Sequence, residues 1–137
     1  MEYVFVYGTL KQGFPNFEIN QGTRLPGAFM TAERYPLYLV GERCVPWMVS
    51  QPGAGRQVFG EVFEVDDAAL LAMDKLEGIG KLYGYRRQKI RVTDAESLCE
   101  LSVFAYVKPL EQLDLEQVKL GPLTSYELQH ASLYRKR

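Results

Sequence analysis

Five consecutive residues, Tyr3, Val4, Phe5, Val6 and Tyr7, constrain this chain more than any other stretch. All are β-branched or aromatic, so they predict a strand. They are apolar at both parities, which predicts a central strand covered on both faces rather than an edge. The run stops at Gly8, where the backbone can turn sharply or approach a ligand with no side chain in the way. Thr9 and Leu10 follow. Amides at the end of a buried strand are left without ladder partners, and such a place suits a ligand. The same residues also fit a plain turn after a core strand, so this motif alone assigns no function.

A chain of 137 residues can bury one real core but not two. A single domain over residues 1–137 is therefore expected. The chain is 47% hydrophobic and 24% charged, in the ordinary range for a soluble protein. Sixteen Lys and Arg against 17 Asp and Glu leave a net charge of -1. That balance gives no drive toward nucleic acid or an anionic membrane. No apolar run approaches the roughly 20 residues that span a bilayer. Met1-Glu2 leads straight into the strand with no basic, small-residue leader. Cys44 and Cys99 are isolated thiols without metal-ligand spacing. They predict a reducing, cytoplasmic location and no bound metal. Oligomeric state is not legible.

Further along, Ala28–Arg34 and Leu37–Val40 read as strands. Cys44–Val49 contains Pro46, which demotes it to an edge or irregular strand. Val58–Val65 reads as a strand covered in part on both faces. Asp66 and Asp67 then start a helix over Ala68–Leu76, ended by Gly78 and Gly80. Tyr85–Thr93 and Leu98–Val107 pair as a hairpin across the turn Asp94-Ala95-Glu96-Ser97. Residues 110–137 are a tail of indistinct pattern, with room for a short helix and a basic end, Arg135-Lys136-Arg137, read as solvated. Many short strands and one clear helix predict an α+β fold with the sheet curled into a small mixed barrel.

Glu77 is the most informative side chain. At roughly 100° per residue, Ala69, Leu70, Met73 and Leu76 gather on one face of the helix, and Glu77 falls in the same sector. An unpaired charge on a core-facing stripe is costly. The carboxylate must be at an edge, paired, or neutralised by a raised pKa, and the last is what a general acid/base near neutral pH needs. A fraying last turn pointing to water is the plainer alternative. Asp74 and Lys75 fall on the outer face. The G-x-G at Gly53-Ala54-Gly55 lacks the third glycine of a dinucleotide loop. His130, the one histidine, has no nucleophile motif beside it. Arg86, Arg87, Lys89 and Arg91 read as the solvated face of a strand.

Taken together, Val4-Phe5-Val6-Tyr7-Gly8-Thr9-Leu10-Lys11 with Gly13, Pro15 and Asn16 resembles the opening motif of the γ-glutamylcyclotransferase-like superfamily. Met73-Asp74-Lys75-Leu76-Glu77 resembles its second motif, an apolar residue followed by Asp-x-x-Glu. Tyr35-Pro36-Leu37, Pro46-Trp47, Pro52-Gly53, Gly55-Arg56, Gly60-Glu61-Val62, Leu82-Tyr83 and Arg86 follow the order of the γ-glutamylamine cyclotransferases within it. The resemblance spans residues 3 to 107, and the tail matches only loosely.

The resemblance implies a small mixed barrel with flanking helices and an intramolecular reaction. The α-amino group of a γ-glutamyl amine, such as γ-glutamyl-ε-lysine, attacks its own γ-carbonyl to give 5-oxoproline and a free amine. It further implies Glu77 as general acid/base, and Tyr7, Gly8, Thr9, Leu10, Tyr83 and Tyr106 around the substrate. No cofactor, metal or covalent intermediate is expected, and the partner is a small γ-glutamyl molecule. Two alternatives stay open: another γ-glutamyl amide as substrate, or a non-catalytic domain that binds a small metabolite on the same scaffold. A glutamate rather than a glutamine at position 77 favours catalysis.

Overall fold

The apolar opening run forms β1 (Glu2–Val6), and its two faces serve two separate cores. The computed structural model describes residues 1–136. Around β1 are arranged β2 (Thr23–Arg24), β3 (Phe29–Thr31), β4 (Leu37–Val40), β5 (Val45–Met48), β6 (Phe59–Val65), β7 (Arg86–Asp94), β8 (Glu100–Val107) and β9 (Val118–Leu120). Among the described residues two α-helices complete the fold, α1 (Asp67–Leu76) and α2 (Leu128–Ala131).

β1 runs antiparallel to β6 and parallel to β8, in register Val4 to Phe63 and Val4 to Phe104. β7 pairs with β8, β3 with β7, and β6 with β3, so the ring closes as β1-β8-β7-β3-β6. β2 lies on β6 beyond the ring. The result is the expected mixed barrel within an α+β fold. Closure removes the exposed edges that an open sheet of this size would carry.

Alternation along β1 explains its double apolar character. Phe5 and Tyr7 enter the barrel core with Val62, Ile90, Val103 and Ala105. Val4 and Val6 face outward onto Ala69, Leu70 and Met73 of α1. Asp66 caps α1, its side chain accepting from the Ala69 amide at 2.8 Å. Leu76 departs from the sequence expectation. It is 39% exposed, because the helix ends there and its side chain reaches the mouth of a cavity instead of the core.

A second, three-stranded sheet, β5-β4-β9, stands beside the barrel. Pro46 lies on β5, an edge strand as its proline requires. The tail is more ordered than its sequence suggested. It holds 3₁₀ turns at Leu110–Gln112 and Leu115–Gln117, then β9 against β4, then α2.

The two sheets meet at the Tyr7 hydroxyl. It donates to the Tyr106 carbonyl at 2.7 Å and accepts from the Met48 amide at 3.3 Å. Alongside, the Lys108 amide donates to the Met48 carbonyl at 2.9 Å and the Ser50 amide to the Lys108 carbonyl at 2.8 Å. One phenol thus ties β1, β5 and the end of β8 together. Tyr7→Phe leaves a buried amide and a buried carbonyl short of a partner. It is expected to cost about 2–4 kcal/mol in denaturant unfolding. A loss below about 0.5 kcal/mol would show that the joint does not depend on this hydroxyl.

Candidate active site

Glu77 is placed by the way α1 stops. Gly78 adopts φ +68°, the Gly78 amide donates to the Lys75 carbonyl at 3.2 Å, and the Ile79 amide to the Asp74 carbonyl at 3.0 Å. This is a Schellman-type end, which a glycine at this position makes strain-free. Glu77 is therefore the last residue with helical dihedrals, and its carbonyl accepts from the Tyr85 amide at 2.9 Å. The loop 78–84 is folded back against the helix end, and the Glu77 carboxylate is left facing a cavity.

That cavity has a volume of about 1350 Å³. Its wall includes Glu77, the turn Gly8-Thr9-Leu10, Tyr7, Tyr83 and Tyr106, so the structure brings the sequence-predicted site residues to one hollow. Their settings differ. Tyr7 presents its ring, since its hydroxyl is committed to Tyr106. Tyr106 is buried, and Tyr83 is a rim residue, 79% exposed. Gly8 is buried where an added Cβ would sit 2.9 Å from Pro46 Cγ, so the close packing of β5 over the turn requires glycine. Lys11 donates its amide to the Gly8 carbonyl at 3.1 Å, and Asn16 to the Thr9 carbonyl at 2.9 Å. The carbonyls of the turn are thereby held in place, and among the described residues the Gly8, Thr9 and Leu10 amides meet no backbone acceptor.

Burial raises the Glu77 pKa from 4.5 to about 7, opposed in part by the positive charge of Lys108. Among the described residues no donor reaches its carboxylate, so no hydrogen bond favours the ionised form. Lys108 is itself buried. Its ammonium donates to the Tyr83 carbonyl at 2.7 Å and to Gln112 Oε1 at 3.2 Å, and stacks 4.5 Å from the ring centres of Trp47 and Tyr85. Burial also pushes the phenols of Tyr7, Tyr85 and Tyr106 well above their ordinary range. These tyrosines act as neutral donors and walls.

Asp74 corrects the reading of its helix face as simply outer. It is partly buried, accepts from the Tyr106 hydroxyl at 2.6 Å and from Arg87 at 2.7 Å. One turn before Glu77, it fastens the cavity wall to α1. Arg87 and Lys89 lie over Phe104 at 4.7 and 4.4 Å, Arg86 pairs with Glu111 and Arg91 with Glu33 and Glu100, so all four members of the basic cluster have local partners. His130 is away from the cavity, with Nδ1 accepting from the Glu127 amide at 2.8 Å. Among the described residues no three His, Cys, Asp or Glu side chains gather as a metal site.

Sequence reasoning missed Lys108, Trp47, Tyr85 and Tyr134 as cavity residues. Pro46-Trp47 was a usable signal, an aromatic residue on a proline-bearing edge. Lys108 carried a weaker one, a lysine directly after an apolar strand.

The family model described as gamma-glutamyl cyclotransferase, AIG2-like, matches residues 4–128. The chain belongs to this family. It is 39% identical over 101 residues to a rat gamma-glutamylaminecyclotransferase, covering 70% of this chain and 68% of that protein. It is 43% identical over 97 residues to the human protein of that name, covering 67% and 62%. The chain therefore aligns with about two thirds of the length of these relatives. A crystal structure of an AIG2-like protein from Mus musculus superposes with a TM-score of 0.86 at 32% identity, covering 100% of this chain and 97% of that one. The chain is an enzyme of the γ-glutamylcyclotransferase type, a class that acts on small γ-glutamyl molecules. No helix among the described residues is long and apolar enough to cross a membrane.

The raised pKa carries a stability cost with a definite sign. Protonation is easier in the native state, so the contribution of Glu77 to stability is most favourable below pH 4.5 and is lost as pH rises through 7. Glu77→Gln removes that cost. At pH 8 the variant is expected to be more stable by up to about 3 kcal/mol, the gap closing as pH falls to the ordinary carboxylate range. Denaturant unfolding at several pH values checks this. A variant less stable than the parent at pH 8 would mean that the carboxylate is held by an interaction that favours its charge.

Proposed function

We propose that this protein is a γ-glutamylamine cyclotransferase, with Glu77 as the group that moves the proton. The observation that carries the reading is a carboxyl group of pKa about 7 in the same hollow as the Gly8-Thr9-Leu10 turn. Ionised Glu77 takes a proton from the α-ammonium group, and its raised pKa makes that transfer far less uphill than it is to an ordinary carboxylate. The freed amine attacks the γ-carbonyl carbon and a carbon–nitrogen bond forms. The carbonyl oxygen becomes an oxyanion facing the amides of Gly8 to Leu10. Glu77 then gives its proton to the amide nitrogen of the leaving group, and the old carbon–nitrogen bond breaks. The second proton of the attacking nitrogen passes by way of Glu77 to the released amine, which leaves as an ammonium ion, and the ring becomes a lactam. The products are 5-oxoproline and the amine, and no water is consumed.

Attacking and attacked atoms belong to one molecule, so the protein's main task is to hold the glutamyl chain bent. The walls of Tyr7 and Tyr106, fixed by hydrogen bonds at 2.7 and 2.6 Å, suit that task. The cavity is larger than a glutamyl group alone needs, which favours a substantial amine. Its lining also carries both charge signs, Glu42 and Glu111 against Lys81 and Arg86. A zwitterionic amino-acid end, as in γ-glutamyl-ε-lysine, finds a partner for each of its charges there.

Glu77→Gln is expected to lower the rate of 5-oxoproline release from γ-glutamyl-ε-lysine by about 10²- to 10⁴-fold while the circular dichroism spectrum is unchanged. In the parent, kcat/KM is expected to rise with pH on a limb near 7, because the base must be ionised to act. Full activity in the variant, or a pH profile without that limb, would remove Glu77 from the mechanism. Binding of 5-oxoproline without any turnover would favour a non-catalytic domain.

A further inference from the structure

The last residues of the chain return to the cavity. After α2, residues 132–136 pass the turn at Gly41–Arg43, where the Arg135 amide donates to the Arg43 carbonyl at 3.0 Å and Arg43 Nε to the Arg135 carbonyl at 2.8 Å. These paired bonds fix the strap in place, and Tyr134 and Lys136 join the cavity wall. The family model stops at residue 128, so this wall lies beyond the matched segment.

Tyr134 is tied to the turn that follows β1. Asn16 is buried, and its side-chain amide donates to Thr9 Oγ1 at 2.8 Å and to the Tyr134 hydroxyl at 3.3 Å. A hydroxyl that accepts a bond keeps its own hydrogen to donate. Among the described residues, Tyr134 meets no acceptor for that hydrogen. Arg43, also on the cavity wall, adds positive charge on the same side. A phenol donor linked through Asn16 to the Gly8-Thr9-Leu10 turn, on a wall that also carries Arg43, matches an anionic group of the substrate's fixed end.

We propose that Tyr134 is a substrate-binding residue that donates its hydroxyl to the α-carboxylate of the γ-glutamyl group. The assignment rests on the cyclotransferase reading and deepens it. The turn amides are left for the oxyanion, while the strap holds the carboxylate that both substrate and 5-oxoproline carry. Such a bond forms in the ground state and persists in the transition state, so its loss acts on KM rather than kcat.

The test compares the parent, Tyr134→Phe and a chain ending at Ser132. Steady-state kinetics use γ-glutamyl-ε-lysine and a γ-glutamyl alkylamide with no charge on its amine side. Calorimetry measures 5-oxoproline binding without turnover. Tyr134→Phe is expected to raise KM about 10- to 100-fold for both substrates, with kcat within twofold, and to weaken 5-oxoproline binding by a similar factor. The truncated chain is expected to show at least the same loss, which keeps the test valid should either variant fold poorly. An unchanged KM, a loss confined to kcat, or a penalty seen only with the lysine compound would overturn the assignment. The last result would place Tyr134 on the amine side. A parent that turns over both substrates while Tyr134→Phe binds 5-oxoproline normally sinks only this inference. A parent that neither turns over nor binds 5-oxoproline sinks the cyclotransferase reading with it.

Discussion

A half-buried carboxyl group with no hydrogen-bond donor among the described residues is the constraint on which the rest of this structure turns. Water is a good solvent for a carboxylate, and the Glu77 setting is a poor one, so its pKa rises to about 7. Such a group is a liability for folding and an asset for proton transfer. Natural sites commonly trade stability for this kind of reactivity. The surrounding structure supplies the firmness needed to keep the group there. The helix end is closed by Gly78, and the Glu77 carbonyl is held by the Tyr85 amide.

The opposite wall is made firm by other means. Tyr7 binds β1 to β5 and β8, while Pro46 packs so closely over Gly8 that no side chain fits. Asp74 joins the wall residue Tyr106 to α1, the helix that carries Glu77. Lys108 gathers Tyr83, Gln112, Trp47 and Tyr85 around one ammonium group. The walls are thus coupled through backbone and buried polar contacts rather than through one long element. An active site that must bend a flexible substrate benefits from such pre-set walls, because ordering them costs nothing at the moment of binding.

The parts of this account legible in the sequence were those written in local patterns. The apolar run of β1 announced a strand with two covered faces, and it has a core on each. Asp66 and Gly78 marked the ends of α1, and the helical wheel singled out Glu77. Pro46 predicted an edge strand, and β5 is one. What escaped was set by distance along the chain. Asp74 looked solvent-facing on its helix because Tyr106 and Arg87, which meet it, lie 32 and 13 residues away. β9 is a three-residue strand whose partner, β4, lies far back in the sequence. Tyr134 sits in a tail with no periodic pattern, and only the fold brings it back to Asn16. The final basic residue of that tail, Arg137, lies outside the described residues.

The central claim is that Glu77 and the Gly8-Thr9-Leu10 turn act on one substrate in one hollow. Its most direct test is a crystal structure of the protein with 5-oxoproline. The account predicts the lactam seated between the two, its ring nitrogen or carbonyl within hydrogen-bond distance of the Glu77 carboxyl and its lactam oxygen toward the turn amides. A product molecule bound in another part of the cavity, out of reach of Glu77, would contradict it.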